Sequence, residues 1–334
     1  MTRVLVLGGG PDAEREVSIA SAEGVYQGCL DADLDAKLEI VDRPGLREIE
    51  SWQADVIFPV LHGEFGEGGA LQTLLEHAGV AFVGSGFHAA RLAMDKMATK
   101  LIAARLGIPS PAGCIFDPCG HHQTRKPEDV RSPFQLPVVI KPVADGSSVG
   151  LHICLNDAQW QRAVAAVDAD ILANPHRVYM IERYAGGREI TVSVTRSPET
   201  GSDELIALPL IEIAPKDGVY DFEAKYQRHD TCYTINPELP ERITAGMQQH
   251  ALNLCEGLGI RHLARVDFLL SEDGHWTLLE LNTMPGFTRT SLLPRAAEAG
   301  GLAMPAFSNH LVQAALEDHQ KEESRSPAPS RSSG

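Results

Sequence analysis

The chain has 334 residues, of which 43% are hydrophobic and 22% are charged, a balance typical of a folded protein long enough for two or three domains. Its 45 acidic and 29 basic residues give a net charge of −16, which disfavours nucleic acid and anionic membranes as main partners. No run of about 18 apolar residues predicts a membrane helix. The six cysteines form no Cys-x-x-Cys pair, so we expect a reduced, cytoplasmic setting.

The N-terminal part of the chain alternates strand-like and helix-like segments. Strands are predicted over residues 3–7, 38–41, 54–61 and 81–83, and helices over 15–29 and 69–78. This alternation predicts a parallel sheet with helices on both faces, in which active groups lie at the carboxyl ends of the strands. Glu14 and His62 each follow a predicted strand, so both are candidate functional residues.

We expect three domains and a tail. The predicted boundaries are 1–88 for an N-terminal α/β domain, 89–185 for a central domain, 186–320 for a C-terminal domain and 321–334 for a disordered tail. The central domain is predicted to have a helix over 91–106 and strands over 138–143, 149–154 and 178–184. The C-terminal domain is predicted to have strands over 189–196 and 205–213, a polar loop over 215–237, helices over 240–258 and 304–316, and a hairpin of strands 263–270 and 276–281.

The strongest chemical signal lies in that last hairpin. Side chains alternate along a strand, so Arg265 and Asp267 share one face, as Glu280 and Asn282 do on the partner strand. If these faces meet, three oxygen ligands and one guanidinium converge, and an all-oxygen set suits Mg²⁺ that shares phosphate ligands. Carboxylates inside a sheet are costly unless they are paired or bind metal. The alternative is a solvent-facing strand with ordinary charges.

A second signal is cationic. Lys141 interrupts the apolar run 138–142 and precedes Gly146-Ser147-Ser148, a loop whose backbone N–H groups could approach phosphate oxygens. The Walker A pattern is absent. Lys96 is a second candidate phosphate ligand, although an exposed helix would also explain a lysine there.

These segments together resemble the ATP-grasp enzymes, and narrower ones are similar to the D-alanine–D-alanine ligase family. The broader segments are Lys141-Pro142, the 146–150 loop, Ile181-Glu182-Arg183-Tyr184, Arg265-Val266-Asp267 and Glu280-Leu281-Asn282-Thr283. The narrower segments are 13–18, 61–63, 94–96, 220–226 and 282–288, and the resemblance extends in order from about residue 2 to 317. It implies an α/β fold, a three-domain ATP-grasp ligase with an N-terminal parallel α/β (pre-ATP-grasp) domain.

The resemblance also implies the reaction and its cofactors. Two D-alanine molecules would be joined through an acyl phosphate, with release of ADP and phosphate, to supply a peptidoglycan precursor. ATP would lie between the central and C-terminal domains. The implied ATP-binding residues are Lys96, Lys141, Ser148, Glu182, Ala185, Glu189 and Leu269. The implied ligands of two Mg²⁺ ions, or of Mn²⁺ in their place, are Asp267, Glu280 and Asn282, with Glu280 bridging the two ions.

The resemblance assigns the substrate-binding residues as well. Glu14 would hold the ammonium of the first alanine, and His62 would orient its carboxylate. Lys225 and Ser291 would bind the second carboxylate. From the residues alone, Glu14 could instead be an acid at a helix start and His62 a structural histidine. A homodimer is implied.

The resemblance also implies catalytic groups that stabilise the oxyanion of the reaction and help to remove the proton of the attacking amine. Arg265 and the backbone N–H of Gly286 would stabilise the oxyanion. Ser147 and Tyr226 would form a hydrogen-bonding pair linked to Glu14 that closes the site and helps to take up the amine proton. The full set is Glu14, Ser147, Tyr226, Arg265, Gly286 and Ser291.

Two departures from the family pattern stand out. Gly68 replaces an aspartate that the family often carries. Arg289 and Thr290 make the stretch before Ser291 unusual, and an extra cation beside the second carboxylate could shift the acceptor towards D-serine or D-lactate. The Lys225-Tyr226 dipeptide favours D-alanine.

Other interpretations remain open at this point. Residues 8–13 fit a Gly-x-Gly-x-x-Ala nucleotide fingerprint with Asp42 as a ribose ligand, as in a nicotinamide-dependent oxidoreductase, but Pro11 removes a backbone donor. A non-catalytic nucleotide binder should have lost a metal ligand or Arg265, and the sequence retains all of them. Another ATP-grasp ligase is disfavoured by Glu14 and the 225–226 dipeptide. Four residues resemble a zinc set by composition, although incidental metal affinity is the alternative; they are Cys114, Cys119, His121 and His122.

Overall fold

The structure is a computed structural model that describes residues 2–118, 129–146, 150–199, 201–214 and 231–325. The strands of these ranges form three sheets, one in each third of the chain. No helix within the described ranges combines the length and the apolar composition that crossing a bilayer requires.

The N-terminal sheet is fully parallel, as the sequence predicts, with strand order β2-β1-β3-β4. Its strands are β1 (Arg3–Gly9), β2 (Asp35–Val41), β3 (Val56–Pro59) and β4 (Ala81–Phe82). Alternate residues of β1 enter two different cores: Val4 and Val6 belong to one, Leu5 and Leu7 to the other. Both faces of the sheet are therefore covered, as expected for a parallel sheet.

Helices cover the two faces of this sheet. The helices are α1 (Arg15–Asp31), α2 (Leu46–Ser51), α3 (Gly63–Glu67) and α4 (Ala70–Ala78). Ala22 and Val25 of α1 join the core that contains Val4, whereas Leu71 and Leu75 of α4 join the core that contains Leu5. The short helices α2 and α3 were not predicted from the sequence.

The glycines after β1 serve the packing of α1 on the sheet. A Cβ at Gly8 would lie 2.7 Å from the Cβ of Ala22. The N–H of Gly9 donates to Ser18 Oγ (2.9 Å), and the N–H of Gly10 donates to the carbonyl of Val41 (3.0 Å). These backbone donors are engaged within the fold, which argues against the dinucleotide-binding interpretation of the segment.

The central sheet is antiparallel, with order β5-β8-β6-β7. Its strands are β5 (Gly113–Phe116), β6 (Val138–Pro142), β7 (His152–Cys154) and β8 (Tyr179–Arg183), and the helix α7 (Asp157–Ala173) packs on it. Trp160 and Val164 of α7 share a core with Ile140 of β6.

The single helix predicted over 91–106 is wrong, because the chain forms two helices there. They are α5 (Phe87–Met94) and α6 (Lys96–Arg105). Asp95 separates them with an extended backbone, and its carboxylate accepts hydrogen bonds from the N–H groups of Met97 and Ala98, both at 2.9 Å. Aspartate is a favoured N-cap residue, and here it starts a new helix at Lys96.

The C-terminal sheet has six strands, in the order β12-β11-β9-β13-β14, with β10 also paired to β9. The strands are β9 (Arg188–Arg196), β10 (Leu205–Ala207), β11 (Ile211–Ala214), β12 (Cys232–Ile235), β13 (Leu263–Leu270) and β14 (Trp276–Asn282). Helix α8 (Glu241–Leu258) packs Met247 and Leu254 against this sheet.

Three predictions for this region need correction. The strand predicted over 205–213 is two strands, because Pro209 has no N–H with which to continue the ladder. The predicted polar loop contains β12, whose Tyr, Thr and Ile residues suit a strand. The last helix runs over Met304–Arg325, so residues 321–325 of the predicted tail are helical. Ion pairs stabilise the last turns of this helix, with Asp318 contacting Arg196 and Lys321 contacting Asp203.

Two helices end the described part of the chain. The short helix α9 (Leu292–Ala299) precedes the last helix, α10 (Met304–Arg325).

His262 joins three parts of this fold. Its Nδ1 accepts a hydrogen bond from the N–H of Gly84 (2.9 Å), and its Nε2 lies 3.1 Å from Asp318 Oδ2 in α10. The ring is therefore neutral, with its proton on Nε2. Complete burial lowers the pKa of His262 to about 4, although the hydrogen bond with Asp318 opposes that shift.

We expect acid to destabilise the protein through His262. Between pH 6.5 and about 4 the unfolded chain binds a proton that the folded chain excludes, so the free energy of unfolding falls as the pH falls, by up to about 3 kcal/mol from this residue. Urea unfolding at several pH values would measure the slope. Burial also lowers the pKa of His152, His250 and His310, so the test is the difference between wild type and His262→Gln. Equal slopes would contradict the prediction.

Candidate active site

A cavity of about 420 Å³ is lined by side chains from all three parts of the chain. Eight of the residues that the sequence singled out line it together: Glu14, His62, Lys96, Arg265, Glu280, Asn282, Gly286 and Ser291. They are up to 277 positions apart in the sequence, so only the fold brings them to one place.

The hairpin of β13 and β14 builds one wall of the cavity. Its register places Asp267 opposite Glu280 and Arg265 opposite Asn282, with an irregularity after Asp267. The Arg265 guanidinium donates three hydrogen bonds to the Asp267 carboxylate, from Nε to Oδ1 (2.9 Å) and Oδ2 (3.2 Å) and from Nη2 to Oδ2 (2.8 Å). Asp267 is only 2% exposed, which excludes the alternative of a solvent-facing strand with ordinary charges.

The side-chain oxygens of this hairpin fit a hard divalent cation by their chemistry, although Asp267, unlike Glu280 and Asn282, does not line the cavity itself. Asp267 and Glu280 supply carboxylates, and Asn282 supplies an amide oxygen that also accepts the N–H of Met284 at 3.2 Å. Among the residues that the structure describes, no group of three or more His, Cys, Asp or Glu side chains forms a metal cluster. A set of two carboxylates and one amide suits Mg²⁺, which commonly completes its octahedron with waters and substrate phosphates.

Cations border the same wall. Lys96, the first residue of α6, donates from Nζ to the carbonyl of Asp145 (2.6 Å) and lies 3.9 Å from Glu280 Oε2. Its N–H is fixed by the carbonyl of Val143 (3.0 Å), just after β6. The cap at Asp95 therefore places a buried ammonium between the central domain and the hairpin.

Lys141 and Glu182 form a buried pair in the central sheet, with Lys141 Nζ 2.6 Å from Glu182 Oε1. A second buried lysine, Lys100, lies 2.9 Å from Glu182 Oε2. The two ammonium groups outweigh desolvation and lower the pKa of Glu182, whereas desolvation lowers the pKa of Lys100. Lys100 was not predicted from the sequence, although it follows Lys96 by four residues and so shares its helix face.

The remaining predicted ATP ligands lie beyond the cavity, along the start of the C-terminal sheet. Glu189 of β9 pairs in register with Leu269 of β13, and both are half-buried. Ala185 lies in the connection between β8 and β9 and is also half-buried.

Glu14 and His62 contribute the N-terminal wall. Glu14 precedes α1, but among the described residues its side chain makes no hydrogen bond that caps this helix. Its carboxylate instead faces the central domain, since a Cβ on Gly146 would lie 2.9 Å from Glu14 Oε2. The His62 ring is held between Glu67 Oε1 (3.6 Å from Nδ1) and Ser21 Oγ (3.4 Å from Nε2).

The loop after β14 is attached to α1. The N–H of Phe287 donates to Ser21 Oγ at 3.1 Å, and the N–H of Thr288 donates to Ser291 Oγ at 3.0 Å. A Cβ at Gly286 would lie 2.8 Å from Ser291 Oγ, so glycine lets the two segments approach closely. Ser21 thus contacts both His62 and this loop, which fixes one wall of the cavity relative to the other.

Several predicted residues lie outside the described ranges. They are Ser147, Ser148, Lys225 and Tyr226 of the proposed site, and Cys119, His121 and His122 of the zinc alternative. The fourth residue of that alternative, Cys114, lies in β5.

Other residues of the cavity wall were missed from the sequence. Glu67, Asp145, Thr231 and Tyr233 line the cavity. Burial raises the pKa of Asp145 against the opposing effect of Arg177, whose Nε lies 2.9 Å from its Oδ2. The sequence does not identify these residues as part of a site, because their place in the cavity wall depends on which segments of the chain the fold brings together.

The fold and the cavity between its parts define an ATP-grasp ligase. The D-alanine-D-alanine ligase from Coxiella burnetii superimposes with a TM-score of 0.79 at 25% identity, covering 97% of this chain and 96% of that chain. The D-alanine–D-alanine ligase from Bacillus anthracis, solved in complex with ATP, shares the fold with a TM-score of 0.77 at 23% identity, covering 96% of this chain and 100% of that chain.

Sequence comparison defines the family. A family model described as D-ala D-ala ligase C-terminus matches residues 102–313, and one described as D-ala D-ala ligase N-terminus matches 39–85. The D-alanine–D-alanine ligase of Pelotomaculum thermopropionicum is 35% identical over 333 residues, covering 95% of this chain and 97% of the relative. That of Desulforudis audaxviator is 36% identical over 315 residues, covering 94% and 99%. The chain belongs to the D-alanine–D-alanine ligase family.

Proposed function

We propose that this protein joins two D-alanine molecules to D-alanyl-D-alanine at the expense of ATP, releasing ADP and phosphate, and so supplies a peptidoglycan precursor. The observation that carries the proposal is the cavity in which Glu14 and His62 face the hairpin of Arg265 and Glu280. Membership of the ligase family supports the choice of substrates.

The chemistry requires activation of a carboxylate, whose direct leaving group would be oxide. Transfer of the γ-phosphoryl group of ATP to the first D-alanine gives an acyl phosphate, and the amine of the second D-alanine then displaces phosphate. Two Mg²⁺ ions, or Mn²⁺, held by Asp267, Glu280 and Asn282, would neutralise charge on the phosphate oxygens. Arg265 and the N–H of Gly286 would stabilise the oxyanion that forms when the amine attacks.

The N-terminal wall positions the first substrate. Glu14 binds its ammonium, and His62, held by Glu67 and Ser21, orients its carboxylate. Lys225 and Ser291 bind the second carboxylate. In this proposal Ser147 and Tyr226, which lie outside the described residues, would pair with Glu14 to close the site and to help take up the proton of the attacking amine. Closure matters because water would hydrolyse the acyl phosphate.

ATP occupies the junction between the central and C-terminal domains in this proposal. Lys96 and Lys141 bind its phosphates, Glu182 and the backbone at Ala185 bind adenine, and Glu189 binds the ribose. Ser148 and Leu269 complete the nucleotide-binding set. Buried lysines at this junction, in a protein of net charge −16, give the local positive field that an anionic nucleotide needs.

We further propose a homodimer that acts in the cytoplasm. The five cysteines that the structure describes are all free thiols, which suits a reducing compartment. Association as a dimer follows from the family resemblance, and sedimentation analysis of the purified protein would test it.

The direct test is ADP release by purified protein with ATP, Mg²⁺ and D-alanine. We expect ADP formation that requires D-alanine, together with D-alanyl-D-alanine detected by mass spectrometry. D-serine and D-lactate, each supplied with D-alanine, would test the acceptor, and L-alanine and a reaction without amino acid are controls. Nucleotide binding without turnover would contradict the proposal.

A further inference from the structure

Three buried side chains, two on the central sheet and one on α6, form a group with net positive charge. Glu182, Lys100 and Lys141 are 2%, 6% and 7% exposed. Each lysine contacts a different oxygen of the Glu182 carboxylate: Nζ of Lys141 lies 2.6 Å from Oε1, and Nζ of Lys100 lies 2.9 Å from Oε2. One carboxylate and two ammonium groups sum to +1, and a buried charge is costly unless an opposite charge accompanies it. The group is therefore suited to receive an anion.

The two lysines reach the carboxylate from different elements. Lys141 of β6 pairs in register with Met180 of β8, and Glu182 lies two residues further along β8, so Lys141 and Glu182 are diagonal neighbours on one face of the sheet. Lys100 lies on α6, one turn after Lys96. Because the contacts use separate oxygens and separate elements, one lysine can leave Glu182 while the other stays.

We propose that Lys100 is a positioning residue, which remains the counter-ion of Glu182 and so frees Lys141 to bind the phosphates of the nucleotide. The inference rests on the proposed ATP-binding role of Lys141. With Lys141 as the sole partner, its movement towards phosphate would leave a buried carboxylate unpaired, and removing one partner of a buried ion pair is strongly unfavourable. Lys100 removes that penalty, because Glu182 keeps one ammonium throughout.

The test measures binding of a non-hydrolysable ATP analogue with Mg²⁺ by calorimetry, without D-alanine. Lys100→Met should weaken binding on the order of 10- to 100-fold, the range expected for losing one charge-assisted contact. Lys100→Arg keeps the charge and should bind close to wild type. Lys37→Met is the matched control, since Lys37 is an exposed lysine of the N-terminal sheet.

A double-mutant cycle separates this role from a general loss of positive charge. In a Glu182→Gln background Lys141 is no longer held by a carboxylate, so Lys100→Met should have little further effect on affinity. The same fold-loss in both backgrounds would overturn the proposal. If Lys100→Met alone does not fold, the affinities of Glu182→Gln and of the double variant for the ATP analogue still test the proposal, which requires these two affinities to be nearly equal.

The assay also distinguishes this inference from the proposed function. Analogue binding that depends on Lys100 through Glu182, in a protein that does not turn over D-alanine, would support the inference and contradict the ligase assignment. Wild-type affinity in Lys100→Met, in a protein that ligates D-alanine, would overturn the inference alone. Absence of nucleotide binding by the wild type would overturn both.

Discussion

Replacement of Arg265 by methionine should lower kcat for D-alanine ligation by about 10²- to 10³-fold, the range for removing one donor to a developing oxyanion. Arg265 lines the cavity opposite Asn282 and donates three hydrogen bonds to the carboxylate of Asp267. The KM for ATP should change much less than kcat, because the charge that Arg265 meets develops only when the amine attacks. Steady-state kinetics with both substrates varied would separate the two effects.

Two comparisons sharpen this prediction. Arg265→Lys retains the charge but loses the planar contact, so it should recover only part of the lost kcat. Arg3→Met removes an arginine that pairs with Asp55 at an exposed position away from the cavity, and should leave ligation unchanged. A large rise in the KM for ATP with unchanged kcat would place Arg265 in nucleotide binding and contradict the oxyanion role.

Loss of Arg265 also removes the partner of a buried carboxylate, and its effect on stability has to be measured alongside activity. Asp267 is 2% exposed, so Arg265→Met leaves it without that guanidinium. Removing one partner of a buried ion pair destabilises by about 3–5 kcal/mol. Thermal unfolding with and without Mg²⁺ would show whether the cation compensates, as expected if Asp267 is a ligand.

The two strands of the hairpin and the residues that share a face on each strand were predictable from the sequence, because local rules determine them. Alternation assigns Arg265 and Asp267 to one face, and the turn at Asp273 and Gly274 sets the pairing of the two strands. Near the turn, Leu270 pairs with Trp276 and Phe268 with Leu278, a register that would place Asp267 opposite Leu279. An irregularity after Asp267, which the sequence does not indicate, shifts the register and places Asp267 opposite Glu280. The parallel N-terminal sheet was predictable for a similar reason, since strand and helix periods alternate along it.

Features that depend on distant contacts were not predictable in this way. The break between the helices at 87–94 and 96–105 was also missed, although its signal is local, because the side chain of Asp95 accepts hydrogen bonds from the N–H groups of Met97 and Ala98 and starts the second helix. The partnership of Lys100 with Glu182 joins residues 82 positions apart, and helix spacing alone identifies only the shared face with Lys96. Likewise, residues 321–325 have the composition of a tail, but ion pairs to distant side chains stabilise the helix there.

In the site, too, some residues could be identified from sequence motifs and others only from the structure. Glu14, His62 and Glu280 each belong to a recognisable segment, whereas Asp145 and Tyr233 line the cavity only because the fold brings their parts of the chain to it. A motif identifies groups that the chemistry requires. It does not identify groups that act by supporting others, since many sequences can supply such support.

Substitution of Glu280 by glutamine should lower kcat on the order of 10³-fold, because it removes the charge of a carboxylate proposed to bridge two Mg²⁺ ions. The change keeps the size of the side chain and leaves Asp267 and Arg265 in place across the hairpin. The Mg²⁺ concentration that gives half-maximal rate should rise at least about tenfold, since even residues that only support metal ligands change affinity by that much.

A matched control lies on the same hairpin. Glu272 is exposed in the turn between β13 and β14, so Glu272→Gln makes the same chemical change away from the cavity and should leave both kcat and the Mg²⁺ requirement unchanged. Lys96 lies 3.9 Å from Glu280 Oε2, so the lost activity could also reflect a displaced lysine. The Mg²⁺ titration decides between these causes: a displaced lysine weakens ATP binding at every Mg²⁺ concentration, whereas a lost ligand is partly overcome by excess Mg²⁺. An unchanged Mg²⁺ requirement in Glu280→Gln would mean that the catalytic cations are held by other residues.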